Sequence, residues 1–134
     1  MPDIRHIPAV DVTPHDLSGF VQEIRLDERR TTIGLARWHV PPGEQGVVQI
    51  LELRVAEEHR RRGLGSQLLE EVISQARSHH SLADVRFRRL WVSVEQKSQV
   101  IARAFLTDHG FHHVATVGNL VMKQDALIYV RAMD

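Results

Sequence analysis

The sequence predicts an α/β fold, a mixed and mostly antiparallel sheet built around one strand–helix–strand unit. Three observations carry this. Residues 47–55 (VVQILELRV) are almost continuously apolar, which suits a central strand covered on both faces. Leu64, Leu68, Val72 and Ala76 then repeat every four residues, with Leu69 and Ile73 beside them. Glu70, Glu71, Ser74 and Gln75 turn away, so residues 64–80 read as an amphipathic helix. Leu90–Val94 (LWVSV) follows as a short buried strand. A strand, a helix and a strand in that order imply a right-handed crossover.

The remaining elements follow from local signals. Residues 1–18 hold three of the five prolines and read as an extended lead-in. Phe20–Asp27 alternates Ile24 and Leu26 with charges, as a strand does, and DERR is the turn after it. Thr31–Val40 is β-branched and aromatic enough for a second strand, and PPGEQG breaks it. Arg77, His79 and His80 lie near the end of the first helix, where the dipole favours cations. Ser98 is the expected N-cap of a second helix, with Ile101, Ala104 and Phe105 as its apolar stripe. Gly110 is expected to stop that helix in a left-handed cap, with Phe111 packing back. Residues 111–123 read as a closing hairpin around Val-Gly-Asn. The apolar tail over 124–134 is expected to form an edge strand or a dimer contact.

Composition narrows the function. The 134 residues suffice for one domain and not two, so 1–134 is read as a single domain. The 17 basic and 17 acidic side chains cancel, which argues against a nucleic-acid partner. Any anion must therefore be held by a local cluster. The chain has no cysteine, which excludes disulfides, a thiol nucleophile and Cys-ligated metal, and is compatible with the cytoplasm. The N-terminal MPDIRHIPAVDVTP lacks the apolar core of a signal peptide. No run approaches the ~20 apolar residues of a membrane span.

The candidate cluster is EEHRRRGLGSQLLEE, residues 57–71, where three arginines run into two glycines at a strand-to-helix junction. The first N–H groups of a helix have no internal partner, and the dipole is positive there. Glycine lets an anion approach them, and arginine adds forked donors suited to phosphate. The stretch reads as a phosphate cradle. It is not a Walker A loop, because no Lys-Ser/Thr follows the glycines. It is not the dinucleotide fingerprint, because Leu68 stands where the last glycine should be.

It does fit R/Q-x-x-G-x-G/A, as Arg60-Arg61-Arg62-Gly63-Leu64-Gly65. Here the sequence resembles the GNAT superfamily of N-acetyltransferases, which use acetyl-CoA. LRVAEEHRRRGLGSQLLEEV (53–72) is similar to the family's central strand, pyrophosphate loop and following helix. ARAFLTDHGF (102–111) resembles its late helix ending in Gly-Phe. The resemblance implies a GNAT-like sheet in which the strand at 90–94 splays from that at 47–55 in a V. It also implies that Leu53, Arg54 and Val55 pair their backbone with the pantetheine arm. Backbone N–H groups of Arg61, Arg62, Gly63, Leu64, Gly65 and Ser66 would hold the pyrophosphate. One or two of Arg60, Arg61 and Arg62 would reach phosphate oxygens. Gln99 falls where the family often carries an Asn contacting the CoA arm. The family usually opens with two helices that frame the acceptor site. Here the central strand already begins near residue 47, so those helices are expected to be short or missing.

The implied activity is transfer of acetyl from acetyl-CoA to a primary amine of a small molecule or peptide, by direct attack and without metal. The attacking amine must be neutral, the thioester oxygen needs a donor, and the leaving thiolate needs a proton. Many family members supply that proton from a Tyr in the late helix, where this chain has Leu106; its only tyrosine is Tyr129. For the base, Glu52 stands inside an apolar strand, and burial without a partner would raise its pKa. The other outcome for Glu52 is an arginine partner on a neighbouring strand or a position open to solvent at the cleft edge. Some histone-type members carry a basic Glu where counting places Gln49. Glu95, just past the next strand, is a second candidate. The nine histidines include no helical H-x-x-x-H pair and are read as solvated or helix-end groups, though His39 or His113 could line the acceptor cleft and relay a proton. Trp38 and Trp91 are most simply core residues. The acceptor site is either open or completed by a second subunit in a homodimer. The alternative function is a non-catalytic CoA-binding or interaction module.

Overall fold

The computed structural model describes residues 3–8, 21–41, 46–95, 99–121 and 124–133. The chain divides into two compact units, Met1–Phe87 and Arg88–Asp134.

In the first unit β1 (Asp3–Pro8), β2 (Val21–Glu28), β3 (Thr31–His39) and β4 (Val47–Val55) lie side by side in chain order. Each neighbouring pair is antiparallel. The lead-in is thus not merely extended, since its residues 3–8 form a paired strand. Pro8 closes β1, an outer strand, where a residue without an N–H costs no ladder bond. The expected DERR turn is present. Arg29 and Arg30 take φ values of 51° and 66°, the paired left-handed conformation of a tight hairpin whose twist matches its strands.

The helix α1 (Leu64–Leu82) covers one face of this sheet and runs two residues past the expected end. Gly34 and Trp38 define that face. A Cβ at Gly34 would come within 2.9 Å of Leu68 Cδ1, and Trp38 Nε1 donates to Gln75 Oε1 at 3.2 Å. Directly opposite residues share a face, so Ile24 and Leu26 of β2 and Ile50 of β4 join the same core. Ile24, Leu26, Ala36, Trp38, Val48 and Ile50 are buried there with Leu64, Leu68, Leu69, Val72 and Ala76. Each large side chain of this set contributes about 1.5–3 kcal/mol by leaving water. At the end of α1 the buried His80 hydrogen-bonds Ala76 O at 2.7 Å and stacks on Phe87 with centroids 5.2 Å apart.

β4 departs from expectation. Only Val48 and Ile50 are buried in it, and Leu51 is 41% exposed. The apolar run is therefore not covered on both faces along its whole length. The cause is a bulge. Arg37 pairs with Glu52 and Trp38 with Ile50, which leaves Leu51 with no partner on β3.

The second unit holds β5 (Arg89–Glu95), α2 (Gln99–Asp108), β6 (His112–Val121) and β7 (Gln124–Ala132). Its strands lie in the order β5-β7-β6, with both pairings antiparallel. Two expectations are corrected. The Val-Gly-Asn stretch is not a hairpin turn but lies inside β6. Val117 pairs with Ala126 and Val121 with Gln124, so the surplus residues of β6 are absorbed as an irregularity around Gly118. The tail is not an edge strand, because β7 is flanked by β5 and β6. Ala126, Leu127, Tyr129 and Met133 are buried, which accounts for its apolar composition. Trp91 is only partly buried. The Gly110 cap forms as expected, with φ 83°. Phe111 N donates to Leu106 O at 2.9 Å and Gly110 N to Thr107 O at 3.2 Å, the bond pair of a Schellman motif. Leu106 and Phe111 are both buried around it. Ser98, the expected N-cap of α2, lies outside the described residues.

Candidate phosphate-binding loop and the sheet face beside it

Between β4 and α1 the chain makes a short 3-10 turn, Glu57–His59, and then the arginine–glycine loop. Ala56 N donates to Ile33 O at 2.8 Å, which fixes where the loop leaves the sheet. Arg61 and Gly63 are both left-handed, with φ 67° and 76°. Gly63 is the N-cap of α1 and supplies no side-chain cap, and the first turn carries no acid. The first helical bond beyond it runs from Gln67 N to Gly63 O at 3.1 Å. The N–H groups of Leu64 and Gly65 thus precede the first internal acceptor, at the positive end of the dipole. A Cβ at Gly63 would meet nothing within 4 Å, so the space over the loop is open. Leu64 itself is buried and anchors the helix start.

The three arginines differ. Arg60 Nε donates to Val55 O at 3.2 Å. Arg62 donates to Glu28 Oε2 at 2.9 Å and to His59 Nδ1 at 2.6 Å. Since a guanidinium can only donate, His59 accepts through Nδ1 and carries its hydrogen on Nε2. The Arg62 hydrogen bond, helped by the charge of the guanidinium, holds the Glu28 carboxyl below its ordinary range. Arg61 makes no side-chain hydrogen bond or ion pair among the described residues. Sequence reasoning missed Glu28, because nothing in the hairpin shows that it meets a loop 34 residues away. Beside the loop lies a groove of about 400 Å³, lined by Thr32, Gly34, Leu35, Arg54, Val55 and Arg60 among others. The contribution of β3 to it was also missed. A more open hollow of about 470 Å³ at the far end of α1, lined by Arg77, Ser78, Ser81 and Leu82, has neither left-handed loop residues nor a strand end.

The sheet face turned away from α1 carries the polar residues of β3 and β4. Glu23, Arg37 and Glu52 form a row across β2, β3 and β4. Arg54 Nε lies 3.2 Å from Glu52 Oε2, and Arg25 Nε 3.6 Å from Glu23 Oε1. The Glu52 side chain is 34% exposed, so it is neither buried nor unpartnered. Its partner is on its own strand. Next along the ladder His39 pairs with Gln49, and His39 Nε2 lies 2.6 Å from Gln49 Oε1. Leu53 and Val55 pair with Ala36 and Gly34, on the helix-facing side.

In the second unit Glu95 ends β5 and Gln99 opens α2; their side chains lie outside the described residues. Tyr129 is buried in β7, with its ring 5.4 Å from that of His113. His113 Nε2 lies 3.0 Å from Thr116 Oγ1. Among the described residues there is no group of three or more His, Asp or Glu side chains that could hold a metal ion. Nor is any helix among them long and apolar enough to cross a membrane.

Residues 4–111 match the model of the acetyltransferase (GNAT) family, a range that runs through both units. No curated protein matches the chain. Among solved structures it is similar to an IAA acetyltransferase from Bacillus cereus, at TM-score 0.76 and 15% identity over 99% of this chain and 100% of that one. It is similar to the ribosomal-protein-S18-alanine N-acetyltransferase of Escherichia coli, at TM-score 0.72 and 18% identity over 100% and 95%. It is also similar to a GNAT family acetyltransferase from Elizabethkingia anophelis with acetyl-CoA bound, at TM-score 0.72 and 16% identity over 97% and 98%. At these identities the likeness is one of fold.

Proposed function

The chain belongs to the GNAT acetyltransferase family; within it, we propose that this protein transfers an acetyl group from acetyl-CoA to a primary amine of a small molecule or peptide. The observation that carries the proposal is the 60–66 loop, with Arg61 and Gly63 left-handed and the start of α1 uncapped. Such a start suits the pyrophosphate of a CoA thioester. The N–H groups of Arg61, Arg62, Gly63, Leu64, Gly65 and Ser66 hold the phosphates in this proposal. Arg61, the arginine without an internal partner among the described residues, gives them a side-chain cation. Arg60 and Arg62 line the loop and keep its shape through Val55 and Glu28. Leu53, Arg54 and Val55 take the pantetheine arm at the end of β4. Glu52 and Glu95 are the carboxylates that the sequence offers as bases. A cytoplasmic setting belongs to the same proposal, as does a homodimer that completes the acceptor site.

A second reading, a CoA-binding module without turnover, is favoured by one observation. Leu106 is packed into the α2 cap where many family members have a proton-donating tyrosine, and Tyr129 is buried in β7. The test is thiol release from acetyl-CoA with a panel of primary amines, and mass detection of the acetylated product. Amine-dependent release supports the enzyme. Acetyl-CoA binding without release supports the second reading, and absence of binding overturns both.

A further inference from the structure

We propose that His39 is the general base that deprotonates the acceptor amine, with Gln49 as the residue that orients it. This rests on the acetyltransferase reading above and assigns a residue to its least defined step. The geometry is specific. His39 and Gln49 are directly opposite on β3 and β4, with His39 Nε2 2.6 Å from Gln49 Oε1. An amide oxygen only accepts, so Nε2 carries the hydrogen and Nδ1 keeps its lone pair. A neutral imidazole with one nitrogen fixed by an acceptor is the form in which the other nitrogen takes a proton. The ring stays partly exposed, so solvent or an amine reaches it.

The pair stands next to the bulge at Leu51, on the face of the sheet away from α1. Among the described residues, the groups facing His39 there are Gln49 and Val21 directly opposite, with Arg37 two residues back. Glu23 and Glu52 flank Arg37 on the neighbouring strands. Glu52 is engaged by Arg54 at 3.2 Å, which makes it the less available base. His113, the other histidine considered from sequence, is exposed and held by Thr116.

The step balances. His39 Nδ1 takes one proton from the acceptor ammonium, which leaves a neutral amine. The amine nitrogen attacks the thioester carbonyl carbon, so a C–N bond forms and the C–S bond breaks. The CoA sulfur leaves with the electron pair and takes the second proton that nitrogen sheds, directly or through water. The imidazolium returns its proton to solvent.

The experiment measures kcat against pH for the wild type, His39→Gln, Gln49→Leu, Gln49→Glu and Glu52→Gln, with acetyl-CoA binding by calorimetry on each sample. His39→Gln is expected to lower kcat by about 10²–10⁴-fold below the pKa of the amine. The loss should shrink at alkaline pH, where neutral amine is already abundant, and acetyl-CoA binding should be retained. Gln49→Leu is expected to lower kcat without shifting acetyl-CoA affinity. Gln49→Glu places a carboxylate on Nε2–H and should move the acidic limb of the profile to higher pH. Glu52→Gln is expected to change kcat less than His39→Gln. A His39→Gln variant that binds acetyl-CoA and keeps the wild-type rate and profile overturns the assignment alone. A wild type that turns over no amine overturns it together with the acetyltransferase reading.

Discussion

Gly34→Ala tests how α1 is seated, and its cost follows from measured separations. The new Cβ would lie 2.9 Å from Leu68 Cδ1 and 3.4 Å from Leu26 Cβ. Leu68 and Leu26 are both fully buried, so neither the Leu68 methyl nor the Leu26 Cβ has space to retreat into. Overpacking of this kind costs about 1–3 kcal/mol. Removing glycine's freedom from the unfolded chain returns about 0.4–1 kcal/mol. The net expectation is a destabilisation of about 1–2 kcal/mol, or a fall in Tm of very roughly 3–10 °C for a chain of this size. Thermal and urea unfolding followed by circular dichroism read it. The same change in a Leu68→Ala background should cost far less, because the methyl it strikes is gone. The coupling between the two sites should reach about 1–2 kcal/mol. A neutral or stabilising Gly34→Ala, or strict additivity with Leu68→Ala, would show that α1 does not sit on β3 through this contact.

Gly63→Glu should abolish acetyl-CoA binding while the protein stays folded, and Gly63→Asn, which tolerates the left-handed φ of 76°, should retain it; calorimetry distinguishes them. Arg30→Gly should raise stability by about 0.5–1 kcal/mol, since an L residue at φ 66° is strained in the β2–β3 turn; denaturant melts check this. The Glu28 carboxyl titrates below 4.5 when folded because Arg62 hydrogen-bonds it. Its contribution is therefore present above that pH and lost as pH falls through the folded value, and Glu28→Gln should remove this acid dependence from the melting curve. His79 is held below its ordinary 6.5 by burial and then by the charge of His80. The unfolded chain therefore binds the proton more readily, so stability should fall as pH drops below about 6.5, and His79→Gln should flatten that slope.

Periodicity made the α1 core legible, since Leu64, Leu68, Val72 and Ala76 are all buried along one stripe. The DERR turn and the Gly110 cap were legible because local residue chemistry sets both. The bulge at Leu51 was not, because a bulge depends on the register between two strands and β4 alone reads as an unbroken apolar run. The β6 turn was misplaced because Gly118 looks like a turn residue, while the pairing of β6 with β7 uses it inside a strand. At the loop, residue types and spacing disclosed the arginines and glycines. What each arginine does required the fold, for Glu28, Val55 O and His59 Nδ1 divide Arg60 and Arg62 from Arg61. The His39–Gln49 contact was equally invisible, although each residue had drawn notice separately.

Isothermal titration with acetyl-CoA, with CoA and ATP as comparators, addresses the central claim most directly. Tight binding of acetyl-CoA and CoA with weak binding of ATP is expected, with affinity reduced in Arg61→Ala. No binding by the folded wild-type protein would contradict the account, and would leave the arginine–glycine loop as an ordinary turn into α1.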